Sequence, residues 1–366
     1  MIPALVLLIW LYLVFMHGKF WHSGPELRPA RPQAWPDVDI IVPARDEAET
    51  IGPVIASLVA QDYEGRLRVI LVDDNSTDGT AELAGAHPRL TIISGQPKAT
   101  GWSGKLWALS QGVARSEAPL LLFTDADITH DPRHLATLVA KLEGARLDMV
   151  SEMVRLNCAS WAERVLIPAF VYFFQMLYPF AKVNDPRDGT AAAAGGTVLI
   201  RREALARIGG LAAIRGALID DVTLARAVKK GGPVWLGHSG LATSIRPYPH
   251  VRDIWDMIAR TAFTQLNYSA LWLAGTLIGL TLVWLVAPYE VLFGQGRVFW
   301  AGLATSILAV ISYLPTLDRY RVPKYFALAL PFIALFYMAA TIGSALNHWR
   351  GSGANWKNRA YGGEGA

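Results

Sequence analysis

Short apolar runs alternate with helix-like segments through the middle of the chain. Between residue 35 and about 235 this alternation predicts strands and helices in succession. The predicted strands are 38–42, 67–72, 90–93 and 119–123, and the predicted helices are 48–60, 80–86 and 105–114. A strand–helix succession of this kind favours an α/β domain with a mostly parallel, Rossmann-like sheet.

Longer apolar runs flank that region, at residues 2–15, 270–293, 298–314 and 325–346. A bilayer core requires roughly 20 apolar residues in a helix. The first run has no small-residue cleavage site after it, so we expect an uncleaved N-terminal transmembrane anchor over 1–18. The other three predict a C-terminal membrane domain of about three transmembrane helices over 266–349.

The shorter apolar run 165–180 contains Pro168 and Pro179, and it predicts an interfacial helix rather than a span. Basic residues follow the first apolar run, which places the domain 35–265 in the cytoplasm by the positive-inside rule. The tail 350–366 carries aromatic and basic residues typical of an interfacial anchor. Three C-terminal spans would put its basic residues outside, so either one run is re-entrant or interfacial, or the charge bias is broken here.

Composition agrees with a membrane protein. The chain is 52% hydrophobic and 17% charged, too apolar for one ordinary soluble domain. Its single cysteine, Cys158, excludes an intramolecular disulfide framework and a cysteine-rich zinc site. A net charge of +4 is mild and does not favour nucleic acid as a partner. The sequence does not indicate an oligomeric state.

Acidic motifs follow the first two predicted strands. Residues 42–47 leave backbone donors and a carboxylate at a strand end, which suits a nucleoside, although a capped helix start is the competing explanation. In the next motif, turn chemistry accounts for Asp78 as a helix cap. It does not account for the pair Asp73 and Asp74, whose like charges require a ligand or a donor.

Asp125 and Asp127 follow the apolar strand 120–123, and the alternation of a strand points both carboxylates to the same side. Two hard oxygen ligands there favour Mg²⁺ or Mn²⁺ bound against a diphosphate. Alone, such a tripeptide usually indicates a solvated loop, but its place in the series favours the metal. A metal ion would neutralise a leaving diphosphate.

Asp220 and Asp221 follow a glycine-rich stretch and open a predicted helix. A carboxylate at this point can take a proton from an acceptor hydroxyl. Helix N-capping is the alternative, and it explains one aspartate more easily than two.

The ordered motifs resemble the family 2 glycosyltransferases over residues 38–265, inverting enzymes of the GT-A fold that use nucleotide sugars. The resemblance implies that Asp221, next to Asp220, is the catalytic base and that the D-x-D aspartates hold the metal, with Asp127 as the usual ligand. It implies a loop at Gly196 that borders the donor sugar and the acceptor. The donor contacts that it implies at the first two motifs are Pro43, Ala44, Arg45, Glu47, Asp73 and Asp74.

Residues 101–108 resemble the G-W-x-G-K segment of glycosyltransferases that act on membrane lipids. Lys105 is then expected to pair with phosphate or nucleotide, against the alternative of a lysine on a solvated helix face. With residues 255–266, the chain most resembles the hopanoid-biosynthesis-associated glycosyltransferases, relatives of ceramide glucosyltransferase. The family's Q-x-x-R-W motif is absent as such, but Arg260 stands near its arginine and is expected to face the diphosphate.

The resemblance therefore implies a membrane-bound, inverting transferase that moves one sugar from a nucleotide sugar, expected to be a UDP-sugar, to a lipid hydroxyl. The missing tryptophan of Q-x-x-R-W favours transfer of a single sugar. The expected location is a bacterial inner membrane, with the catalytic domain in the cytoplasm. Two alternatives stay open: a polyprenyl-phosphate acceptor, and a catalytically silent nucleotide-binding partner in lipid synthesis.

Overall fold

The computed structural model describes residues 1–351 and the backbone of 355–356 and 359–360. The described chain divides into two compact units. The sheet unit comprises Pro25–Asn157, Lys182–Arg246 and the segment from Asn355, and the helical unit comprises Met1–Gly24, Cys158–Ala181 and Pro247–Ala354. From residue 352 on, the predicted interfacial tail lies outside the described residues, apart from two paired two-residue strands.

Eight strands of the sheet unit follow the order β1-β9-β7-β8-β5-β2-β3-β4, and β6 pairs with β9. Five pairings are parallel and three are antiparallel, so the predicted mostly parallel sheet is confirmed. The strands are β1 (Glu26–Leu27), β2 (Val38–Ala44), β3 (Leu67–Asp73), β4 (Leu90–Ser94), β5 (Leu120–Thr124), β6 (Ile128–His130), β7 (Met149–Arg155), β8 (Thr197–Arg201) and β9 (Val234–Ser244), followed by β10 (Asn355–Trp356) and β11 (Arg359–Ala360) outside this sheet.

Helices connect the strands and form the second unit. Those of the described chain are α1 (Ile2–Phe15), α2 (Ile51–Val59), α3 (Thr80–Leu83), α4 (Gly104–Ala114), α5 (His134–Gly144), α6 (Trp161–Leu177), α7 (Phe180–Val183), α8 (Arg202–Arg207), α9 (Asp220–Lys229), α10 (Val251–Ala259), α11 (Ala262–Gln265), α12 (Ala270–Trp284), α13 (Val286–Phe293), α14 (Arg297–Tyr320) and α15 (Leu330–Trp349). Short 3₁₀ helices cover Phe20–His22, Leu211–Ile214 and Lys324–Ala329.

The core of the sheet unit forms on both faces of the central strands. Every residue of β2 and of β5 is buried. Runs of this kind are typical of parallel strands that carry helices on both faces. The ends of these strands, at Ala44 and Thr124, therefore reach the edge where the acidic motifs begin.

Two helices of the helical unit are long and apolar enough to cross a membrane: Arg297–Tyr320, and Lys324–Trp349 with its initial 3₁₀ segment. A third span exists if Val251–Gln265 and Ala270–Trp284, bent by 119° at their break, form one span. The predicted run 270–293 is divided at Leu285 into α12 and α13. Pro288 accounts for the division, because it has no amide to bond the carbonyl four residues back.

The run 165–180 lies mostly in α6, which begins with a capping box. The Glu163 carboxylate accepts the amides of Ser160 and Tyr248, each at 2.7 Å. Pro168 is tolerated inside the helix, and Ile167 and Tyr172 are fully buried. Much of α6 thus packs inside the protein, and its interfacial location stays a prediction.

Candidate active site

The loops that follow β2 and β3 are bonded to each other. Asp78 accepts the Ala48 amide at 2.9 Å and the Thr80 amide at 3.0 Å, and Asp46 accepts the Thr77 amide at 2.9 Å. Residues 45–50 are therefore held by the neighbouring loop, and α2 begins at Ile51 instead of the predicted residue 48. Asp78 therefore organises this loop pair. The N-cap of α3 is Gly79, which has no side chain to accept a bond, so the prediction that Asp78 caps this helix is wrong.

Five of the predicted donor contacts lie at or next to the points where these loops leave the sheet. Ala44 accepts the Asp74 amide at 2.8 Å, and Arg45 donates to the Asp74 carbonyl at 2.5 Å. Asp74 is fully buried, and its carboxylate lies 3.9 Å from the Arg45 guanidinium. Asp73 instead accepts the Ser76 amide at 3.2 Å within its own turn. Pro43 precedes them, paired with Val72 in β2 and β3. Arg45 and Asp74 thus form a fixed polar pair at the crevice edge of the sheet.

Lys105 joins two of the acidic motifs. Its Nζ lies 2.7 Å from Asp125 Oδ1 and 3.5 Å from Asp220 Oδ2. The helix that carries it begins at Gly104, after Ser103 accepts the Leu106 amide. Only 18% of the Lys105 side chain is exposed, so the alternative of a solvated helix face is wrong.

The positive charge of Lys105 and the negative charges of its carboxylate partners stabilise one another. Burial opposes the charge on Lys105, but Asp125 and Asp220 outweigh it and raise the pKa of Lys105 above its usual value. Burial raises the pKa of Asp125, and Lys105 counteracts that increase while Asp127 adds to it. Lys105 therefore allows several carboxylates to lie close together.

Asp220 and Asp221 begin α9, as predicted. Asp221 accepts the Val222 amide at 2.7 Å, and the Gly195 backbone lies beside its carboxylate. Burial, followed by the charge of Asp220, raises the pKa of Asp221 to about 7. A carboxyl group that titrates near neutrality is suited to accept a proton.

The loop before β8 completes this part of the site. A Cβ at Gly195 would lie 3.3 Å from Asp221 Oδ2 and 3.4 Å from Lys105 Nζ. A Cβ at Gly196 would lie 3.2 Å from Val154, on the side of β7. Both glycines therefore allow the backbone to approach its neighbours closely. The predicted loop at Gly196 does adjoin the predicted base.

Arg246 is the site residue that sequence reasoning missed. Its Nε donates to Asp127 Oδ2 at 2.7 Å, and its Nη2 lies 2.7 Å from both oxygens of Glu47. Arg246 follows β9, a strand that was not predicted. A basic residue just beyond the apolar, alternating run 234–244 was the available signal.

The carboxylates of Asp125 and Asp127 are compatible with a divalent metal. Each already forms an ion pair with a basic side chain: Asp125 with Lys105, and Asp127 with Arg246. Within the described residues, no three His, Cys, Asp or Glu side chains gather into a site that could hold a metal by themselves. Mg²⁺ commonly uses one or two carboxylates together with substrate phosphates. The pair therefore fits a metal whose coordination a diphosphate completes.

Arg260 lies elsewhere in the chain. It follows α10 in the helical unit, whereas all other predicted site residues belong to the sheet unit. Its contact with a diphosphate stays a prediction. The sheet unit brings together Glu47, Lys105, Asp125, Asp127, Asp220 and Asp221 through the ion pairs of Lys105 and Arg246 and the contacts of Asp221.

Comparison with known proteins matches residues 39–209 to the model of the family described as glycosyl transferase family 2. The mannosyltransferase PcManGT from Pyrobaculum calidifontis, solved in complex with GDP-Man and Mn2+, has a similar structure. It superimposes with a TM-score of 0.58 and 21% identity, over 95% of this chain and 99% of that one. The likeness shows the fold, and the predicted GT-A fold is confirmed.

Two curated relatives match shorter stretches. An N-acetylglucosaminyltransferase from Mesorhizobium japonicum is 34% identical over 149 residues, 38% of this chain and 34% of the relative. A dodecaprenyl-phosphate galacturonate synthase from Rhizobium johnstonii is 28% identical over 121 residues, 31% of this chain and 35% of the relative. The chain thus spans about a third of the length of these relatives.

Proposed function

We propose that residues 39–209, which match the model of glycosyl transferase family 2, are a domain of that family, and that this protein transfers a single sugar from a nucleotide sugar to a membrane lipid. The observation that carries the proposal is the pairing of Lys105 with Asp125 and Asp220. This pairing joins the strand end suited to the donor diphosphate with the helix start that carries a carboxyl group titrating near neutrality.

The reaction follows from the position of Asp221. Its ionised carboxylate accepts the proton of the acceptor hydroxyl, and the hydroxyl oxygen forms a bond to the anomeric carbon of the sugar. The bond from that carbon to the diphosphate breaks, and the nucleoside diphosphate leaves with the electron pair. One displacement of this kind inverts the anomeric configuration.

Other side chains bind and stabilise the donor. Arg45 and Asp74 hold the nucleoside, for which we propose uridine, and Arg246 binds the diphosphate through its planar guanidinium. Asp125 and Asp127 would hold Mg²⁺ or Mn²⁺, which supplies positive charge against the leaving diphosphate. Lys105 keeps Asp125 and Asp220 compatible in charge while the site is free of donor.

The acceptor is proposed to be a lipid alcohol, with a hopanoid as the first candidate. The two long apolar helices support a membrane location, which we propose to be a bacterial inner membrane with the sheet unit in the cytoplasm. The similarity to a dodecaprenyl-phosphate galacturonate synthase favours a second candidate, a polyprenyl phosphate. The two acceptors differ in the charge of the attacking group. A phosphate is already ionised at neutral pH and needs no base, whereas a hydroxyl group is neutral and needs one.

Transfer by the purified full-length chain in detergent tests the proposal. Nucleotide sugars with Mn²⁺ or Mg²⁺ are offered with either a hopanoid alcohol or a polyprenyl phosphate, and the lipid products are identified by mass spectrometry. Asp221→Asn removes the base. Asp37→Asn is the matched control, because that side chain is 47% exposed in a surface ion pair with Arg66.

A metal-dependent glycolipid made from the alcohol, lost in Asp221→Asn and kept in Asp37→Asn, supports the main proposal. Product from the polyprenyl phosphate alone, with activity retained in Asp221→Asn, overturns the hydroxyl acceptor. Nucleotide binding without turnover on either lipid supports the silent partner instead.

A further inference from the structure

Arg246 lies beside Asp127 because two strands of the sheet place it there. β6 pairs antiparallel with the end of β9, with Ile128 opposite Ser244. The Ile245 amide then donates to the Asp127 carbonyl at 2.8 Å. The next residue along the chain is Arg246, and its guanidinium reaches the Asp127 carboxylate at 2.7 Å. Backbone pairing therefore keeps this guanidinium within reach of the second aspartate of the D-x-D motif.

The other carboxylate partner of Arg246 is anchored from a different part of the sheet unit. The Glu47 amide donates to Thr80 Oγ1 at 2.8 Å, and the Thr50 hydroxyl donates to Glu47 Oε2 at 3.3 Å. Only 11% of the Glu47 side chain and 13% of the Asp127 side chain are exposed. Both carboxylates thus have anchors besides Arg246, and the guanidinium lies between them.

These contacts involve the oxygens that a divalent metal would need. Nε of Arg246 contacts Asp127 Oδ2, and its Nη2 lies 2.7 Å from both oxygens of Glu47. Lys105 contacts Asp125 Oδ1 in the same way. A metal on Asp127 would place its positive charge close to a guanidinium bonded to the same carboxylate, and like charges at such distances repel. Arg246 and a metal ion are therefore competitors for Asp127.

A diphosphate would shift this competition towards the metal. A guanidinium binds phosphate oxygens with the same planar, bidentate geometry that it uses for carboxylates, so a diphosphate offers Arg246 an alternative partner. A diphosphate also adds negative charge to a site in which Arg246 and Lys105 offset much of the carboxylate charge. Both effects increase the attraction of the site for a cation.

We propose that Arg246 is an internal competitor of the metal ion, and that it releases Asp127 only when a diphosphate binds its guanidinium. The proposal rests on the proposed function, in which Arg246 binds the diphosphate and Asp127 the metal. It adds that this one side chain links the two binding events. Mn²⁺ or Mg²⁺ alone is therefore expected to bind weakly, and the metal is expected to bind together with the nucleotide.

Mn²⁺ binding to the purified full-length chain in detergent tests the competition, with free Mn²⁺ measured by electron paramagnetic resonance. The first comparison is made without nucleotide. Arg246→Met removes the charge and the donors from Asp127 and Glu47, so Mn²⁺ affinity is expected to rise about 10-fold or more. Arg187→Met is the matched control, because Arg187 is 89% exposed and pairs with Asp185 at the surface. The control is expected to bind Mn²⁺ with wild-type affinity.

The second comparison adds saturating UDP. A metal that bridges carboxylate and diphosphate binds more tightly with UDP in every variant, so the informative quantity is the size of that increase. We expect Mn²⁺ affinity to rise about 100-fold in wild type and about 10-fold in Arg246→Met, because no competitor remains to be removed in the variant. Asp127→Asn in the Arg246→Met background is expected to abolish the affinity gained without nucleotide.

Melting temperature shows whether each variant folds. Arg246→Met leaves two carboxylates without their shared cation, so Mn²⁺ is expected to raise its melting temperature more than that of wild type. Arg246→Gln, which is uncharged but can still donate a hydrogen bond, replaces it if the methionine variant does not fold, with the same expectations.

Wild-type Mn²⁺ affinity in the folded, uncharged variant would overturn the proposal. A gain in affinity that persists after Asp127→Asn would also overturn it, because the metal would then bind elsewhere. The proposed function can fail separately. Absence of sugar transfer, with the metal coupling as expected, would contradict that function alone, whereas transfer without any effect of Arg246 on Mn²⁺ binding would contradict only the competition.

Discussion

Arg246 donates from Nε to Asp127 Oδ2 at 2.7 Å, so a guanidinium holds the second aspartate of the D-x-D motif. The same guanidinium contacts both oxygens of Glu47. Burial opposes its charge, but Asp127 and Glu47 raise the pKa of Arg246. Arg246 is therefore a permanent cation, placed where the proposed donor diphosphate and metal would meet Asp127.

Arg246→Lys is expected to weaken binding of a UDP-sugar about 10-fold or more. Lysine keeps the charge but cannot contact Asp127 and Glu47 together through a planar fork, and charge-assisted hydrogen bonds contribute about 1.5–3 kcal/mol each. Titration calorimetry with Mn²⁺ present measures the affinity. Arg187→Lys is the control, since Arg187 is 89% exposed in a surface pair with Asp185. Unchanged affinity in Arg246→Lys would contradict its role in donor binding.

The pH profile of transfer is expected to follow Asp221. Its pKa is raised to about 7 by burial and Asp220, and the proposed base must be ionised. Transfer should therefore increase about 10-fold between pH 6 and pH 8 and then level off. Steady-state rates at saturating donor measure this limb. A profile that is flat from pH 5 to 8 would exclude Asp221 as the base.

Asp221→Asn is expected to remove transfer while stabilising the fold above pH 7. The folded pKa is above the unfolded value of about 3.9, so the contribution of Asp221 to stability is full below pH 4 and is lost as pH rises through 7. Asparagine has no carboxyl proton to lose, so it does not become charged as pH rises. Melting temperatures at pH 5 and pH 8 measure the difference between variant and wild type. A variant less stable at pH 8 than at pH 5, relative to wild type, would contradict this linkage.

Lys105→Met is expected to destabilise the sheet unit and abolish transfer. It leaves Asp125 and Asp220 without their shared cation, at a cost of about 1–3 kcal/mol given their partial exposure. The double variant Lys105→Met with Asp125→Asn should recover part of that stability but no activity. Chemical denaturation of the wild type, the two single variants and the double variant measures the coupling free energy between Lys105 and Asp125. Independent, additive effects would show that the ion pair contributes no stability.

Gly112→Ala is expected to destabilise the fold by about 1–3 kcal/mol. A Cβ at Gly112 would lie 2.4 Å from Ile41 Cγ2, because α4 packs closely on β2. Gly144→Ala is the matched control, since Gly144 is also helical and its added Cβ meets nothing within 4 Å. Alanine there should be neutral or slightly stabilising. Equal denaturation midpoints for both variants would contradict the close packing.

The local pattern of apolar residues was enough to predict β2, β3, β4 and β5, because a buried parallel strand has its signal within a few consecutive residues. The acidic motifs could also be predicted from local sequence, because they lie next to those strands. β7, β8 and β9 were not predicted as strands. Their place in the sheet depends on pairings between distant segments, such as Met149 with Val234, and no local pattern reports such a pairing.

The sequence by itself determined the type of sheet, the order of the acidic motifs and the apolar character of the terminal segments. Only the tertiary structure decided which ionisable side chains meet: Lys105 with Asp125 and Asp220, Arg246 with Asp127 and Glu47, and Glu152 with His134. It also decided that α12 and α13 are separate helices. The physical reason is range: hydrophobic periodicity acts over a few residues, whereas an ion pair joins groups up to 199 residues apart, as in Arg246 and Glu47.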